Sequence, residues 1–529
     1  MSASVRSSRH SFRWSADDSW ASVSLFVGTL LSRIPFRSQV LYHWDSVNFA
    51  FAMRRFDIGA EQPQPPGYIA YVWLCRLVDL LFGDPQVTMV WISIVCSGLA
   101  AVAMYLLGRS MVDRQSALVA ALFLATSPLF WFYGEIALPH AVDMVLVIIS
   151  AWLLWETAQG KAWAVVWAAV TLAVAGGIRQ QTPVFLGLIA LYAGIGFLRR
   201  TGWIRGLRRA MLALGVFGLV CASWFFPLIG STGGLAQYRQ TLAAFSGRFN
   251  ATTSLLLGAG WFGLSRNLRK LGMYTGYGWS VAMAPAVVYA VRQVRRRRAG
   301  EIRLDRVLFL LAWILPALFY YVVIHMGQQG LVFVFLPALL LISAVGLTRL
   351  LSARPRLLRA TTAILVAANV GTFCLAPEYP AGGDRFRLLT RATLVSSDNY
   401  YRDRFAAVEE GFSPESTVVL ASNWRHVEYY LPDFHPLHFD VVAKWELGEG
   451  EPVDTDEIAV VTRTGLGLKL DGQGYWAVVL FDPHLAAFVE GSEPAQGLPL
   501  RHGGDLEYLL LSANQVLGYG GSFIGVENP

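Results

Sequence analysis

Long apolar runs, separated by short polar or arginine-rich connections, fill the first three quarters of the chain. A helix needs about 20 mostly apolar residues to cross the hydrocarbon layer. Windows of that kind lie at 19–41, 88–108, 115–133, 138–156, 161–178, 183–198, 210–230, 276–291, 307–325, 331–348 and 360–376, which predicts eleven membrane-spanning helices. Arg33 and Arg37 interrupt the first window, so its far end is expected at the interface. Arg6, Arg9 and Arg13 precede it and no small-residue cleavage site follows, so it reads as an uncleaved span. The stretch 65–83 is nearly apolar enough to be a twelfth, but Arg76 and Asp79 share one helical face, which predicts a juxtamembrane amphipathic helix. After Ala376 the pattern changes to short β-rich runs at 416–422, 458–462, 475–481 and 506–511, punctuated by Gly, Pro and Asp. The expected architecture is a mainly α, polytopic membrane body over 1–376 and a small soluble α/β domain over 377–529.

Composition sharpens the picture. Hydrophobic residues make up 55% of the 529 and charged residues only 15%, with mean hydropathy +0.45. Soluble domains carry about 25% charged residues, so a disordered chain is excluded and the composition argues against an ordinary soluble enzyme. The net charge of +7 suggests a nucleic-acid partner until it is split by position. Residues 1–376 hold 33 basic and 13 acidic side chains, whereas 377–529 hold 10 and 23. A basic membrane body and an acidic soluble domain give no nucleic-acid surface. With the N-terminus in the cytoplasm, 22 of the 33 basic residues fall on the cytoplasmic side, including every long arginine-rich connection. An odd number of spans then leaves the C-terminal domain outside. Cys75, Cys96, Cys221 and Cys374 all lie in apolar stretches and offer neither a zinc site nor a disulfide framework. No nucleotide-binding fingerprint occurs in the cytoplasmic connections, so any chemistry belongs to the outer face.

On that face the charges are sorted. Acids gather early, at Asp45, Asp57, Glu61, Asp79, Asp84, Glu135 and Asp143, and none follows on the outer side before 377. Cations come later, at Arg179, Arg239, Arg248, Arg266, Arg269, Lys270 and His325. A carboxylate that removes a proton and cations that hold a phosphate would suit this distribution. Asp45, in LYHWDSVNF, reads either as a semi-buried base or as the cap of a helix at 46–56. Asp143 and His140 share one face at the start of a membrane helix, where an acid needs a partner or a task. A pairing with Arg179 or a hydrogen bond to an amide would serve Asp143 structurally, and Arg179 itself reads equally as a snorkelling arginine at a helix end. Arg266, Arg269 and Lys270 at helical spacing suit either a phosphate or interfacial anchoring. His325, beside Gln328, reads as structural or as a ligand.

The motifs resemble the GT-C superfamily of integral membrane glycosyltransferases, nearest to the bacterial protein O-mannosyltransferase-like and aminoarabinose-transferase-like branches. WDSVNFAFAMRRFD followed by QPQPPGYIAYVWLCRL is similar to the first outer loop of that superfamily, SPLFWFYGEIALPHAVDMVL and GGIRQQTPVFLGL to the segments after it, and HMGQQGLVFVFLPALLLISAVGL to a late one. Gln64 stands where many relatives have His or Lys before the proline pair. The resemblance covers about 1–350; nothing in 377–529 shares it. It implies inverting transfer of a sugar from a polyprenyl-phosphate donor to a glycan, lipid or protein acceptor at the outer face of the bacterial inner membrane. Asp45 is then the catalytic acid/base and Glu135 the second acidic position. Gln64, Tyr68, Arg54, His140, Asp143, Arg179, Arg248, Arg266, Arg269, Lys270, His325 and Gln328 are the expected substrate-binding residues. Asp45 has no second acid in DxD spacing, so no obligatory metal or cofactor is expected, although a divalent cation is compatible. The alternatives are a transporter or lipid flippase, which would place ionisable groups in mid-span and show inverted halves, and a non-catalytic assembly subunit.

Overall fold

A computed structural model describes residues 14–296, 304–382, 387–438, 452–455, 459–462, 467–470, 475–490, 495–512 and 516–519. Arg6, Arg9 and Arg13, and the central part of the 292–306 connection, lie outside the described residues. The chain divides into two compact units. One comprises residues up to Ser38 together with Ala52–Leu394; the other comprises Gln39–Phe51 together with Val395 onward.

The first unit is helical. Its helices are α1 (Ala16–Arg33), α2 (Trp44–Arg54, shared with the second unit), α3 (Ile69–Phe82), α4 (Pro85–Met111), α5 (Arg114–Thr126), α6 (Pro128–Tyr133), α7 (His140–Ala158), α8 (Ala162–Ile178), α9 (Gln181–Phe185) and α10 (Gly187–Thr201). There follow α11 (Trp203–Ser231), α12 (Leu235–Thr253), α13 (Gly260–Trp279), α14 (Met283–Arg296), α15 (Leu304–Val323), α16 (Leu336–Leu350), α17 (Pro355–Leu375) and α18 (Arg391–Gly411), the last also shared. Every apolar window of the sequence contains a helix or a broken pair of helices. Among the described residues, α4, α7, α11, α15 and α17 are long and apolar enough to cross a membrane, and α5, α8 and α16 are shorter apolar helices. On α15, Leu308, Leu311, Leu315 and Phe319 recur at helical spacing and are all exposed, an apolar stripe that water would not tolerate and lipid does. The fold is that of a multi-pass membrane protein. The helix α3 has 14 residues, about 21 Å at 1.5 Å per residue, too short to span.

Local chemistry sets the helix ends. Ser15 and Asp18 form a capping box on α1, Asp84 precedes Pro85 and accepts the Val87 N–H, and Asp113 accepts the Ser116 N–H. Helices α4, α5, α7 and α8 form the buried centre, with α4 against α5 closely enough that a Cβ on Gly108 would meet the Ala117 Cα at 2.8 Å. At one end, Asp18 pairs with Arg109, Asp17 with Arg114 and Glu156 with Lys161. All six residues are ones the charge pattern assigns to the same side.

Arg33 is fully buried: its Nη2 donates to the Ala125 carbonyl at 2.7 Å and its guanidinium lies 4.3 Å from the centre of the Trp131 ring. Arg37 is exposed and donates to the Ile34 carbonyl.

In the second unit, β1 (Thr417–Ala421) runs parallel to β2 (His435–His438), the two joined through α19 (Trp424–Tyr430). Farther along come β3 (Pro452–Thr455), β4 (Ala459–Thr462), β5 (Gly467–Leu470), β6 (Tyr475–Leu480), β7 (Val489–Glu490), β8 (Gln496–Pro499), β9 (Asp505–Ser512) and β10 (Val516–Tyr519). One sheet has order β2-β1-β6-β9-β8, parallel over its first three strands and antiparallel beyond, and the other is β3-β4-β5-β10-β7. The four β-rich runs of the sequence become β1, β4, β6 and β9. The core of this unit joins Val40 to Tyr401, Phe405, Val419, Val427 and Phe481.

Candidate active site

In the helical unit the expected residues fall into three groups. The first surrounds the turn between α6 and α7. Glu135 is fully buried; its Oε1 accepts from Trp131 Nε1 at 3.0 Å, and its Oε2 has no hydrogen-bond partner among the described residues. The turn itself is fastened by Ser93 Oγ, which donates to the Ile136 carbonyl at 2.8 Å, and by the Ser38 N–H, which donates to the Glu135 carbonyl at 3.0 Å. Burial holds the Glu135 carboxyl well above the usual range for glutamate, with the nearby Arg33 charge pulling the other way. His140, first residue of α7, is buried edge-on to Tyr133 at 4.8 Å and to Phe333 at 6.3 Å. Gly330 is obligatory here, because a Cβ would come within 2.3 Å of His140 Cδ2.

The second group is a latch. Asp143 accepts from Thr182 Oγ1 at 2.7 Å and faces Arg179 Nη1 at 3.7 Å, all three side chains buried. Arg179 also interacts electrostatically with Tyr321, Tyr68 and Tyr320. Gln180 Nε2 donates to the Pro66 carbonyl at 3.2 Å, and Tyr238 Oη lies 3.0 Å from Gln180 Oε1. These bonds fix the QPQPPG loop, whose Gln62–Pro63 and Pro65–Pro66 bonds are cis. Tyr68 follows in a left-handed conformation (φ 44°) at the start of α3, an unusual state for a bulky residue held by its surroundings. Gln64 is buried with its Oε1 unpartnered among the described residues.

The third group is cationic. On α13, Arg266 and Lys270 both act electrostatically on His325, whose Nδ1 is 3.0 Å from Thr253 Oγ1. Burial and these two cations push the His325 imidazole down to about 4, so it is neutral at pH 7. Arg269 is exposed on the same helix. Asn267, buried between the cations in sequence, ties the helix down by donating to the Thr253 and Val322 carbonyls and accepting the Met326 N–H. Gln328 precedes the short turn at Gln329–Val334, which Trp313 holds by donating to the Val334 carbonyl at 2.7 Å.

Two expected residues stand apart from these groups. Arg248 on α12 pairs with Glu61 at 2.6 Å, at the edge of a cavity of about 280 Å³ that Gln237, Gln240 and Phe245 also line. Arg54 is exposed at the end of α2. Asp45 belongs to the other unit. Its own N–H donates to His43 Nδ1 at 3.0 Å, and its carboxylate, about one-fifth exposed, is 3.6 Å from the same nitrogen.

Sequence reasoning missed Trp131, Thr182, Tyr238, Tyr321 and Asn267. Thr182 and Asn267 lie inside segments already marked, and a polar residue at helical spacing from the marked charges was the available signal. Trp131 and Tyr321 carry no signal, because an aromatic in an apolar helix looks like core.

Residues 64–227 match the family model described as dolichyl-phosphate-mannose-protein mannosyltransferase. The fold is similar to that of ArnT from Cupriavidus metallidurans bound to undecaprenyl phosphate, with TM-score 0.57, 14% identity, and 94% of this chain and 98% of that chain covered. The apo state of the same protein superposes with TM-score 0.50 over the same shares, also at 14% identity. The resemblance to GT-C glycosyltransferases drawn from the motifs is thus found in both sequence and fold. Among curated proteins, none matches the sequence.

Proposed function

We propose that the protein is a glycosyltransferase that moves a sugar from a polyprenyl-phosphate donor to an acceptor hydroxyl at the outer face of a bacterial inner membrane, with inversion at the sugar carbon. The observation that carries the reading is the end-to-end fold likeness to a protein crystallised with undecaprenyl phosphate, joined to the Arg266, Lys270 and His325 group on the helical unit. The donor is a lipid and reaches the site from the bilayer, so no cytosolic nucleotide fold is required.

In the reaction Asp45 takes the proton of the acceptor hydroxyl, whose oxygen attacks the anomeric carbon while the bond to the phosphate oxygen breaks. The polyprenyl phosphate leaves with its charge held by Arg266, Arg269 and Lys270. Glu135, whose carboxyl burial pushes well above the usual range, acts as the second acidic position, meeting the substrate through the oxygen that has no hydrogen-bond partner among the described residues. The buried Asp143–Arg179 pair serves these groups by fixing the loop that carries Gln64 and Tyr68. Asp45 has no second acid in DxD spacing, and the reaction is proposed to run without an obligatory metal; full activity in EDTA checks this. Acceptor handling is assigned to the acidic C-terminal domain, whose negative surface stands off anionic headgroups.

The test is transfer of label from a panel of undecaprenyl-phosphate-linked radiolabelled sugars in membranes enriched for the protein, wild type beside Asp45→Asn. Loss of about a hundredfold in the variant is the expected result for a missing general base. Equal rates would leave Asp45 without a catalytic role. No transfer by wild type across the panel would sink the enzyme reading and favour a transporter or an assembly subunit.

A further inference from the structure

Asp45 lies on a strap, Gln39–Phe51, that belongs to the same compact unit as the C-terminal sheet. The strap is gripped on both sides of the carboxylate. Ahead of it, the Gln39 and Val40 N–H groups donate to the two oxygens of Asp398 at 2.9 and 3.2 Å, and the Leu41 N–H donates to Tyr430 Oη at 2.9 Å. The Leu41 carbonyl accepts from His426 Nε2 at 2.8 Å, and the Val40 side chain enters the core of the unit. Asp398 sits on α18, and His426 and Tyr430 on α19. Behind and beside the carboxylate, Trp44 meets Trp424 edge-on at 5.7 Å, Phe51 meets Tyr429 at 5.4 Å, and the Arg425 guanidinium covers Trp424 at 4.5 Å.

Nothing about acceptor binding requires this arrangement. Three consecutive residues, Gln39–Leu41, have their backbone groups bound by side chains more than 350 positions away in sequence, a few residues before the one read as the base. A base must be held to a fraction of an ångström, and a misplacement of about 1 Å costs about a hundredfold in rate. We propose that Asp398 and Tyr430, with His426, are positioning residues for Asp45, holding the strap that carries it. The inference rests on the reading of Asp45 as the base.

The experiment uses the full chain and the labelled undecaprenyl-phosphate sugar that wild type accepts. Asp398→Asn weakens two backbone acceptors, and Tyr430→Phe deletes one while keeping the ring, which serves if the first variant folds poorly. Each is expected to lower kcat by about 10- to 100-fold, to leave the KM for the lipid donor within about twofold, and to raise amide exchange selectively in peptides covering 38–45. In an Asp45→Asn background the same changes are expected to cost nothing further, since a residue acting through Asp45 has nothing left to position. The proposal is overturned if exchange in the strap rises while kcat holds and Asp45→Asn remains inactive. It is overturned equally if the losses multiply in the double variants, which would mean that Asp398 and Tyr430 act independently of Asp45. Full activity of Asp45→Asn would remove the base reading, and this proposal with it.

Discussion

Removing Arg179 should destabilise the helical unit far more than removing the whole ion pair. In Arg179→Gln, Asp143 keeps the hydroxyl of Thr182 at 2.7 Å and loses the guanidinium at 3.7 Å, in a place where both side chains are nearly inaccessible. At an effective dielectric of about 20, two unit charges at that separation attract by about 4 kcal/mol. Breaking one side of a buried pair typically costs about 3–5 kcal/mol, because the remaining charge stays out of water. For a domain of this size each kcal/mol lowers Tm by about 2 °C or less, so the single variant should melt below wild type by up to about 10 °C. Asp143→Asn combined with Arg179→Gln removes both charges and keeps hydrogen-bonding groups of similar volume, and should recover most of that loss. The assay is intrinsic-fluorescence melting of the four members of the cycle in one detergent. Simple additivity of the two single losses would refute the latch, because groups that hold each other must show coupling.

Three further outcomes follow. Arg266→Ala and Lys270→Ala should each raise the KM for a labelled lipid donor about tenfold, with the effect growing as salt is lowered; an unchanged KM would remove the cations from phosphate binding. Gly330→Ala should cost about 1–3 kcal/mol and most of the activity, since its methyl would press on the buried rings of His140 and Tyr133 at 2.3 and 2.8 Å; a wild-type melting temperature would contradict the packing described. The soluble unit should weaken in acid through His426, whose folded value near 4 lies below the 6.5 of an unfolded histidine because the ring is buried, stacked on Tyr401 at 4.4 Å and close to His43. Its Nδ1 has no partner among the described residues, so a second proton would find no acceptor. The unfolded state then binds more protons between these values: stability is full above pH 6.5 and is lost as pH falls toward 4, by about 3 kcal/mol in all. His426→Gln, which cannot titrate, should flatten that slope in a pH series of melts.

Much of the architecture was legible in the chain because it depends on local pattern. Apolar windows of membrane length became helices, the 65–83 stretch became a helix too short to span, and alternating β-rich runs became strands, since each depends on spacing and on flanking Gly, Pro and Asp. The motifs also carried the family likeness. What the chain did not disclose is which charges meet. Asp143 and Arg179 were open to several partners until folding placed them 3.7 Å apart, and Arg248 turned out to be held by Glu61. Nor did the chain disclose what Arg33 meets: an aromatic face and a backbone carbonyl from other helices receive its buried guanidinium. The sharpest case is Asp45. Its neighbours in sequence place it after a membrane helix, yet the groups that hold the backbone ahead of it, at Gln39–Leu41, come from α18 and α19, near the other end of the chain. Periodicity reports which face of an element is buried, and carries no information on what is buried against it. Long-range pairing of polar groups is decided by tertiary structure alone.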